Sequence, residues 1–164
     1  MGRDKARLRL GRRTLLGHVR AAAVASGLPV RIIRRDAVPR CGPLGGIFTA
    51  LNSTRHRAVI FLSCDQPFVS RATILALARA IRSMSICYSD AAGVAGFPFV
   101  ITKAALPIVA EQIAREEFSL QRLARRLNAT TRPIPSGREW EWFNVNTSVE
   151  LLTARELWRA HGQA

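Results

Sequence analysis

The chain has 164 residues, 48% hydrophobic and 22% charged, which suits one sizeable core and excludes a disordered chain. No apolar run approaches the ~18 residues of a membrane-spanning helix, and the longest, at residues 58–64 and 93–102, are strand-sized, so a helical membrane protein is excluded. Lys and Arg number 25 against 11 acids, a formal net charge of +14, and 13 of those bases with only 2 of the acids fall in residues 1–57, a bias that suits a polyanionic ligand.

In chain order, Leu15, Val19, Ala22 and Ala23 keep a helical period, and Gly27-Leu28-Pro29 stops that helix. The β-branched run at residues 30–33 predicts a short strand. Residues 36–46, punctuated by Pro39, Gly42, Pro43, Gly45 and Gly46, predict a loop, with a helix starting near Ile47. Residues 58–64 are apolar at nearly every position, which predicts a central parallel strand buried on both faces. Ser70 caps a helix carrying Ile74, Leu77, Ala78 and Ile81 on one face. Strands are predicted at 85–89 and 97–102, then a helix with Leu106, Val109, Ala110 and Ile113, then a short basic helix capped by Ser119. Further strands are predicted at 131–134 and 140–143. The last helix opens with Thr147-x-x-Glu150, a capping box, and carries Leu151, Ala154 and Trp158 on one stripe. Strands alternating with helices indicate a single α/β domain over residues 1–164 with a mostly parallel sheet.

Cysteines at 41, 64 and 87 form no Cys-x-x-Cys pair, which argues against a zinc site or disulfide framework and fits a reducing cytoplasm. His18, His56 and His161 make no metal pattern. The Arg-rich N-terminus is broken by Gly11 and Gly17 and has no serine before Ser26, so it is not read as a targeting segment.

Four features carry chemistry, each with a plainer alternative. Asp65 follows the apolar run directly, the place where ligands gather in open α/β sheets, and a lone carboxylate there suits Mg²⁺ shared with substrate phosphates. The alternative is a turn or helix cap. Gly42-Pro-Leu-Gly-Gly-Ile47 lets backbone approach a flat ligand such as a purine, or is simply a tight connector. Lys5, in Met1-Gly-Arg-Asp-Lys5, is a compact charge suited to phosphate, or part of a solvated charge cluster. Asn144-Val-Asn146 sets both amides on one face of an extended segment, for a ligand or for turn duty.

Taken in order, Met-Gly-x-Asp-Lys, Gly-Pro-Leu-Gly-Gly-Ile, Cys-Asp-x-Pro-Phe and Phe-Asn-Val-Asn-Thr-x-x-Glu-Leu resemble the molybdenum cofactor guanylyltransferase family of MobA-like nucleotidyltransferases. The basic segment at 119–127 also resembles the family's helix before its final strands. The resemblance implies a Rossmann-like nucleotidyltransferase fold with helices on both faces of a mostly parallel sheet, in a cytoplasmic enzyme. The implied reaction joins GMP from GTP to the phosphate of molybdenum-molybdopterin and releases pyrophosphate, with Mg²⁺ as cofactor. Carried across, Lys5 contacts nucleotide phosphate, Asp36 is a further nucleotide contact, and Gly42, Pro43, Leu44 and Gly45 embrace the guanine. Asp65 holds the metal, with Lys5 and Asp65 as the catalytic pair, and Asn144 and Asn146 line the cofactor side. Molybdoenzymes or their chaperones are the implied protein partners.

The family's Met-Gly-x-x-Lys follows a β-strand and a Leu-Ala-Gly-Gly turn, neither of which precedes Met1 here, so an N-terminally truncated fold is expected. A MobA-like transferase using CTP or another acceptor is the rival within the class, and a non-catalytic remnant that keeps the fold's shell is a separate reading. From another class, a basic nucleic-acid-binding module is disfavoured, because the eleven aromatics sit mostly in core segments and no recognition motif is present.

Overall fold

The computed structural model describes residues 5–81, 85–89 and 94–161. Its elements in chain order are the short strands β1 (Arg9–Leu10) and β2 (Arg13–Thr14), α1 (Leu15–Ala25), α2 (Pro43–Ser53), β3 (Ala58–Phe61) and α3 (Arg71–Arg79). There follow β4 (Ser85–Ser89), β5 (Ala95–Thr102), α4 (Leu106–Ala114), α5 (Leu120–Arg126), β6 (Thr130–Pro133) and α6 (Ser148–His161). Turns of 3₁₀ helix cover Lys5–Arg7, Lys103–Ala105 and Glu139–Trp142. Among the described residues no helix is long and apolar enough to cross a membrane.

The chain divides into two compact units. One comprises Met1–Val30, Leu62–Leu75 and Ile134–Ala164, the other Arg31–Phe61 and Ala76–Pro133. Each has its own apolar core, since an element that buries one face must find a partner for it.

In the first unit, β1 and β2 pair as an antiparallel hairpin, and Thr14 Oγ1 accepts from Gly17 N at 3.0 Å to cap α1. Leu10, Leu15, Phe68, Val145 and Ala154 form the core, flanked by Trp140, Phe143, Leu151 and Trp158. His18 is buried; its Nε2–H donates to Leu10 O at 2.8 Å and its ring meets the Trp158 ring edge-on. A second polar knot ties the Glu139–Trp142 turn to the start of α3. Glu141, only 3% exposed, accepts from Thr73 Oγ1 at 2.8 Å and from the Arg138 guanidinium, which also donates to Ser70 Oγ at 2.8 Å. Glu141→Ala would strand the Thr73 hydroxyl and part of the guanidinium, so a loss of about 3 kcal/mol is expected in denaturant unfolding, and Glu141→Gln should lose about half as much. Equal midpoints for wild type and Glu141→Ala would show that the knot contributes nothing.

The second unit holds a four-stranded sheet in the order β3-β5-β4-β6. β5 runs antiparallel to both neighbours, while β4 and β6 are parallel, so three of the four strands share one direction. Residues 95, 97, 99 and 101 of β5 face Leu44, Ile47 and Leu51 of α2, Val109 of α4 and Leu123 of α5. On its other face Pro98 and Val100 are buried as well.

Four local expectations are corrected. β3 is shorter than residues 58–64, is half-buried throughout, and among the described strands pairs only with β5. The central strand, buried on both faces, is β5. An apolar run reports what covers a strand's faces and is silent on which edges are paired. Residues 30–33 form no strand, since β-branched propensity gives nothing without a ladder partner; Val30 is exposed and Arg31 donates to Ser53 Oγ at 2.6 Å. Residues 139–142 wind as a 3₁₀ turn because the adjacent Glu141 and Trp142 are both buried, which an alternating strand does not permit. Finally, α2 begins at Pro43 rather than near Ile47, because proline at the first helical position gives up an N–H the helix does not use.

Candidate active site

In the first unit, residues 62–65 leave β3 and turn at Cys64 and Asp65. The Asp65 carbonyl accepts from Val145 N at 2.8 Å, which fastens the segment ahead of α6 to this turn. The Asp65 carboxylate is different: its Oδ1 is buried and has no hydrogen-bond partner among the described residues. Buried carboxylate oxygens are ordinarily satisfied, and one left open is suited to a cation. Among the described residues no group of three His, Cys, Asp or Glu gathers to form a protein cage for a metal. A lone carboxylate of this kind can hold a divalent cation that takes its remaining ligands from substrate oxygens and water.

Asn144 and Asn146 are exposed while Val145 between them is fully buried, so the alternation does put both amides on the outer side of the segment. Lys5, in the 3₁₀ turn, donates from Nζ to Asn146 Oδ1 at 3.0 Å. Residues 1–4 of the same motif lie outside the described residues. The capping box is formed: Glu150 N donates to Thr147 Oγ1 at 3.1 Å, and Glu150 Oε2 accepts from both Asn146 N and Thr147 N at 2.7 Å. The Asn146 and Thr147 backbone bonds, with a smaller contribution from the Lys5 charge, lower the Glu150 carboxyl below its ordinary range. The bonds of the cap are therefore kept at neutral pH and lost only as pH falls through that lowered value. The first unit thus brings Lys5, Asn146 and the Asp65–Val145 link into one connected set.

Asp36, Gly42, Pro43, Leu44 and Gly45 belong to the second unit. Gly42 has φ +53° and precedes Pro43, which opens α2. Leu44 and Gly45 form the buried start of the helix, so any ligand contact from Leu44 is through backbone, its side chain being in the core. Asp36 lies over this first turn: a Cβ built on Gly45 would stand 2.7 Å from Asp36 Oδ2 and 2.9 Å from Val38 O. Thr49 secures the arrangement, since its Oγ1 accepts from Ala37 N at 2.8 Å and donates to Gly45 O at 2.7 Å.

Sequence reasoning had no signal for Thr49, which reads as an ordinary helical residue. It equally had none for Arg40, a non-glycine residue at φ 62° in the same loop. The Thr-x-x-Glu pattern found Glu150 as a cap, and nothing in that pattern announced its bond to Asn146.

Compared with known proteins, the sequence matches the MobA-like NTP transferase domain over residues 1–131. The chain belongs to the MobA-like NTP transferase family. A relative from Flavobacterium johnsoniae, named probable molybdenum cofactor guanylyltransferase, is 26% identical over 125 residues, covering 71% of this chain and 62% of the relative. The chain thus spans about three fifths of that relative's length. A relative of the same name from Opitutus terrae is 30% identical, with 89% of this chain and 84% of the relative covered. Among solved structures, molybdopterin-guanine dinucleotide biosynthesis protein A from Archaeoglobus fulgidus superposes with a TM-score of 0.74 at 17% identity, over 97% of this chain and 92% of that one. The 2-C-methyl-D-erythritol 4-phosphate cytidylyltransferase of Thermus thermophilus gives 0.72 at 18% identity, over 94% of each chain. Rv0371c of Mycobacterium tuberculosis, solved as a complex with manganese, gives 0.59 at 18% identity, over 94% of this chain and 93% of that one. The fold of this family member is therefore the Rossmann-like nucleotidyltransferase fold, an α/β architecture with the mixed sheet described above.

Proposed function

We propose that this chain transfers GMP from GTP to the phosphate of molybdenum-molybdopterin. An oxygen of that phosphate bonds to the α-phosphorus, the bond from the α-phosphorus to the bridging oxygen breaks, and pyrophosphate leaves with that oxygen. The observation that carries this reading is the buried Oδ1 of Asp65, without a hydrogen-bond partner among the described residues, in the connected set with Lys5 and Asn146. Family membership and the names of the relatives supply the substrates. Phosphoryl-type transfer needs positioning and charge neutralisation more than a covalent nucleophile, and this set offers both.

In the first unit, Lys5 binds nucleotide phosphate as a point charge, and Asn144 and Asn146 donate to the acceptor. Asp65 is the residue that would hold Mg²⁺, which when bound neutralises charge on phosphate oxygens. In the second unit, backbone groups of Gly42, Pro43, Leu44 and Gly45 take the guanine, and Asp36 serves as a further nucleotide contact. The manganese complex of the mycobacterial neighbour supports a divalent ion, with Mg²⁺ as the reading for this chain. Residues 1–164 act as one domain in this account. Cys41 and Cys64, neither of them in a disulfide, agree with a cytoplasmic setting, where the product passes to molybdoenzymes or their chaperones.

Calorimetry with GTP, CTP and ATP in the presence of Mg²⁺ tests the base. GTP is expected to bind at least about tenfold more tightly than either competitor, a difference of about 1.4 kcal/mol. Tighter binding of CTP would reassign the chain to cytidylyl transfer, and equal binding of all three would remove the guanine assignment from residues 42–45.

A further inference from the structure

We propose that Glu150 is a positioning residue for the nucleotide site, holding Asn146 and, through it, the Lys5 ammonium where a phosphate will meet it. The inference rests on the reading of Lys5 as a phosphate ligand. A capping box needs its acidic residue to reach back to a single N–H, that of the cap residue itself. Here one oxygen, Glu150 Oε2, receives two, from Thr147 and from Asn146 one residue earlier, each at 2.7 Å. Val145 N is committed to Asp65 O at 2.8 Å. Three successive backbone N–H groups, at 145, 146 and 147, are thus fixed, the first by the Asp65 turn and the other two by one carboxylate.

The consequence falls on the Asn146 side chain. Its Oδ1 accepts from Lys5 Nζ at 3.0 Å, a contact between residues 141 apart in sequence. With Oδ1 occupied by the ammonium, the orientation of the amide is set and its two Nδ2 hydrogens remain for an acceptor such as a phosphate oxygen. Lys5 is a half-buried residue with a long side chain rich in rotamers, and ordering that side chain only when a ligand arrives would weaken binding. The bond to Asn146 orders it beforehand, and Glu150 keeps Asn146 in place.

The test uses the full chain and a readout that needs no nucleotide. The protein has two lysines, Lys5 and Lys103, so acylation by a small amine-reactive reagent can be followed at each by peptide mass spectrometry. Lys103, whose Nζ donates to Thr54 O at 2.7 Å in the other unit, is the internal reference. Glu150→Ala should raise the labelling rate of Lys5 about threefold, the effect of loosening the Asn146 amide that tethers it, and leave Lys103 unchanged. Glu150→Gln keeps an oxygen that can accept from both N–H groups, so its melting temperature and its Lys5 labelling should both stay near wild type.

Affinity for GTP with Mg²⁺ supplies the second arm. Glu150→Ala should weaken binding about fivefold in the wild-type background and not at all in Lys5→Ala, because two residues acting through one ammonium are non-additive. Unchanged Lys5 labelling in Glu150→Ala, or labelling that rises as much in Glu150→Gln, would overturn the proposal, as would losses that multiply in the double variant. If wild type binds no nucleotide, the proposed function fails, and the labelling arm still decides whether Glu150 sets Lys5.

Discussion

Asp65→Ala is expected to lower the rate of nucleotidyl transfer by at least about 10³-fold, the size of effect a lost metal ligand has on a charged transition state. The fold should survive, because the side chain does little for it. The bond that ties Asp65 to the rest of the site runs from Val145 N to the Asp65 carbonyl, which alanine keeps. The carboxylate Oδ1, by contrast, is buried without a hydrogen-bond partner among the described residues, an arrangement that costs stability when no cation is bound. Asp65→Asn, which removes the charge at constant shape, should therefore melt at or above the wild-type temperature in metal-free buffer. Added Mg²⁺ should raise the melting temperature of the wild type and leave both variants unmoved, since only a folded state that binds the ion is stabilised by it. Pyrophosphate release and thermal melting, each with and without Mg²⁺, check the two halves. Mg²⁺-dependent turnover retained in Asp65→Ala would remove this residue from the chemistry.

What the sequence disclosed and what it hid divide along physical lines. Features determined within a few residues were legible. Ser119 caps α5 through Arg122 N, Ser70 caps α3 through Thr73 N, and Thr147 with Glu150 forms its box, because each depends on a spacing of three. The Asn-Val-Asn alternation was legible for the same reason: a buried Val145 forces its neighbours outward. Long-range pairing was not. Residues 58–61 and 95–102 are both apolar runs, and only the ladder distinguishes the half-buried β3 from the doubly paired β5. Glu-Trp-Glu-Trp at 139–142 alternates as a strand would, and its winding is decided by Thr73 and Arg138, far away or invisible to a period-two pattern. For the site, residue type alone singles out Lys5, Asp65 and Asn146 as candidates. The contacts that give those residues a geometry, Lys5 on Asn146 and Val145 on Asp65, span 141 and 80 positions, and no local pattern contains them.

The adjacent glycines of Gly-Pro-Leu-Gly-Gly, alike in sequence, should respond oppositely to alanine. At Gly45 a methyl group would meet Asp36 Oδ2 at 2.7 Å and the backbone oxygen of Val38 at 2.9 Å. The carboxylate can rotate aside, but Val38 O belongs to a segment that Thr49 bolts to α2 through Ala37 N and Gly45 O. Gly45→Ala must therefore shift residues 36–38 away from the helix, at an overpacking cost of about 1–3 kcal/mol, against which alanine's helical preference returns about 1 kcal/mol. At Gly46 the nearest atom is Asp36 Oδ1 at 3.6 Å, an ordinary contact, so Gly46→Ala keeps the helical gain without the clash. Denaturant unfolding should place Gly45→Ala up to about 2 kcal/mol below wild type and Gly46→Ala up to about 1 kcal/mol above it. Nucleotide affinity extends the contrast. If Asp36 is a nucleotide contact, its displacement in Gly45→Ala should weaken GTP binding about tenfold, the worth of one charge-assisted hydrogen bond, while Gly46→Ala binds as wild type. A Gly45→Ala protein as stable as Gly46→Ala would mean that residues 36–38 yield freely. Asp36 would then be a passing neighbour of α2, since a carboxylate that a single methyl group moves without cost is not held in place for a ligand.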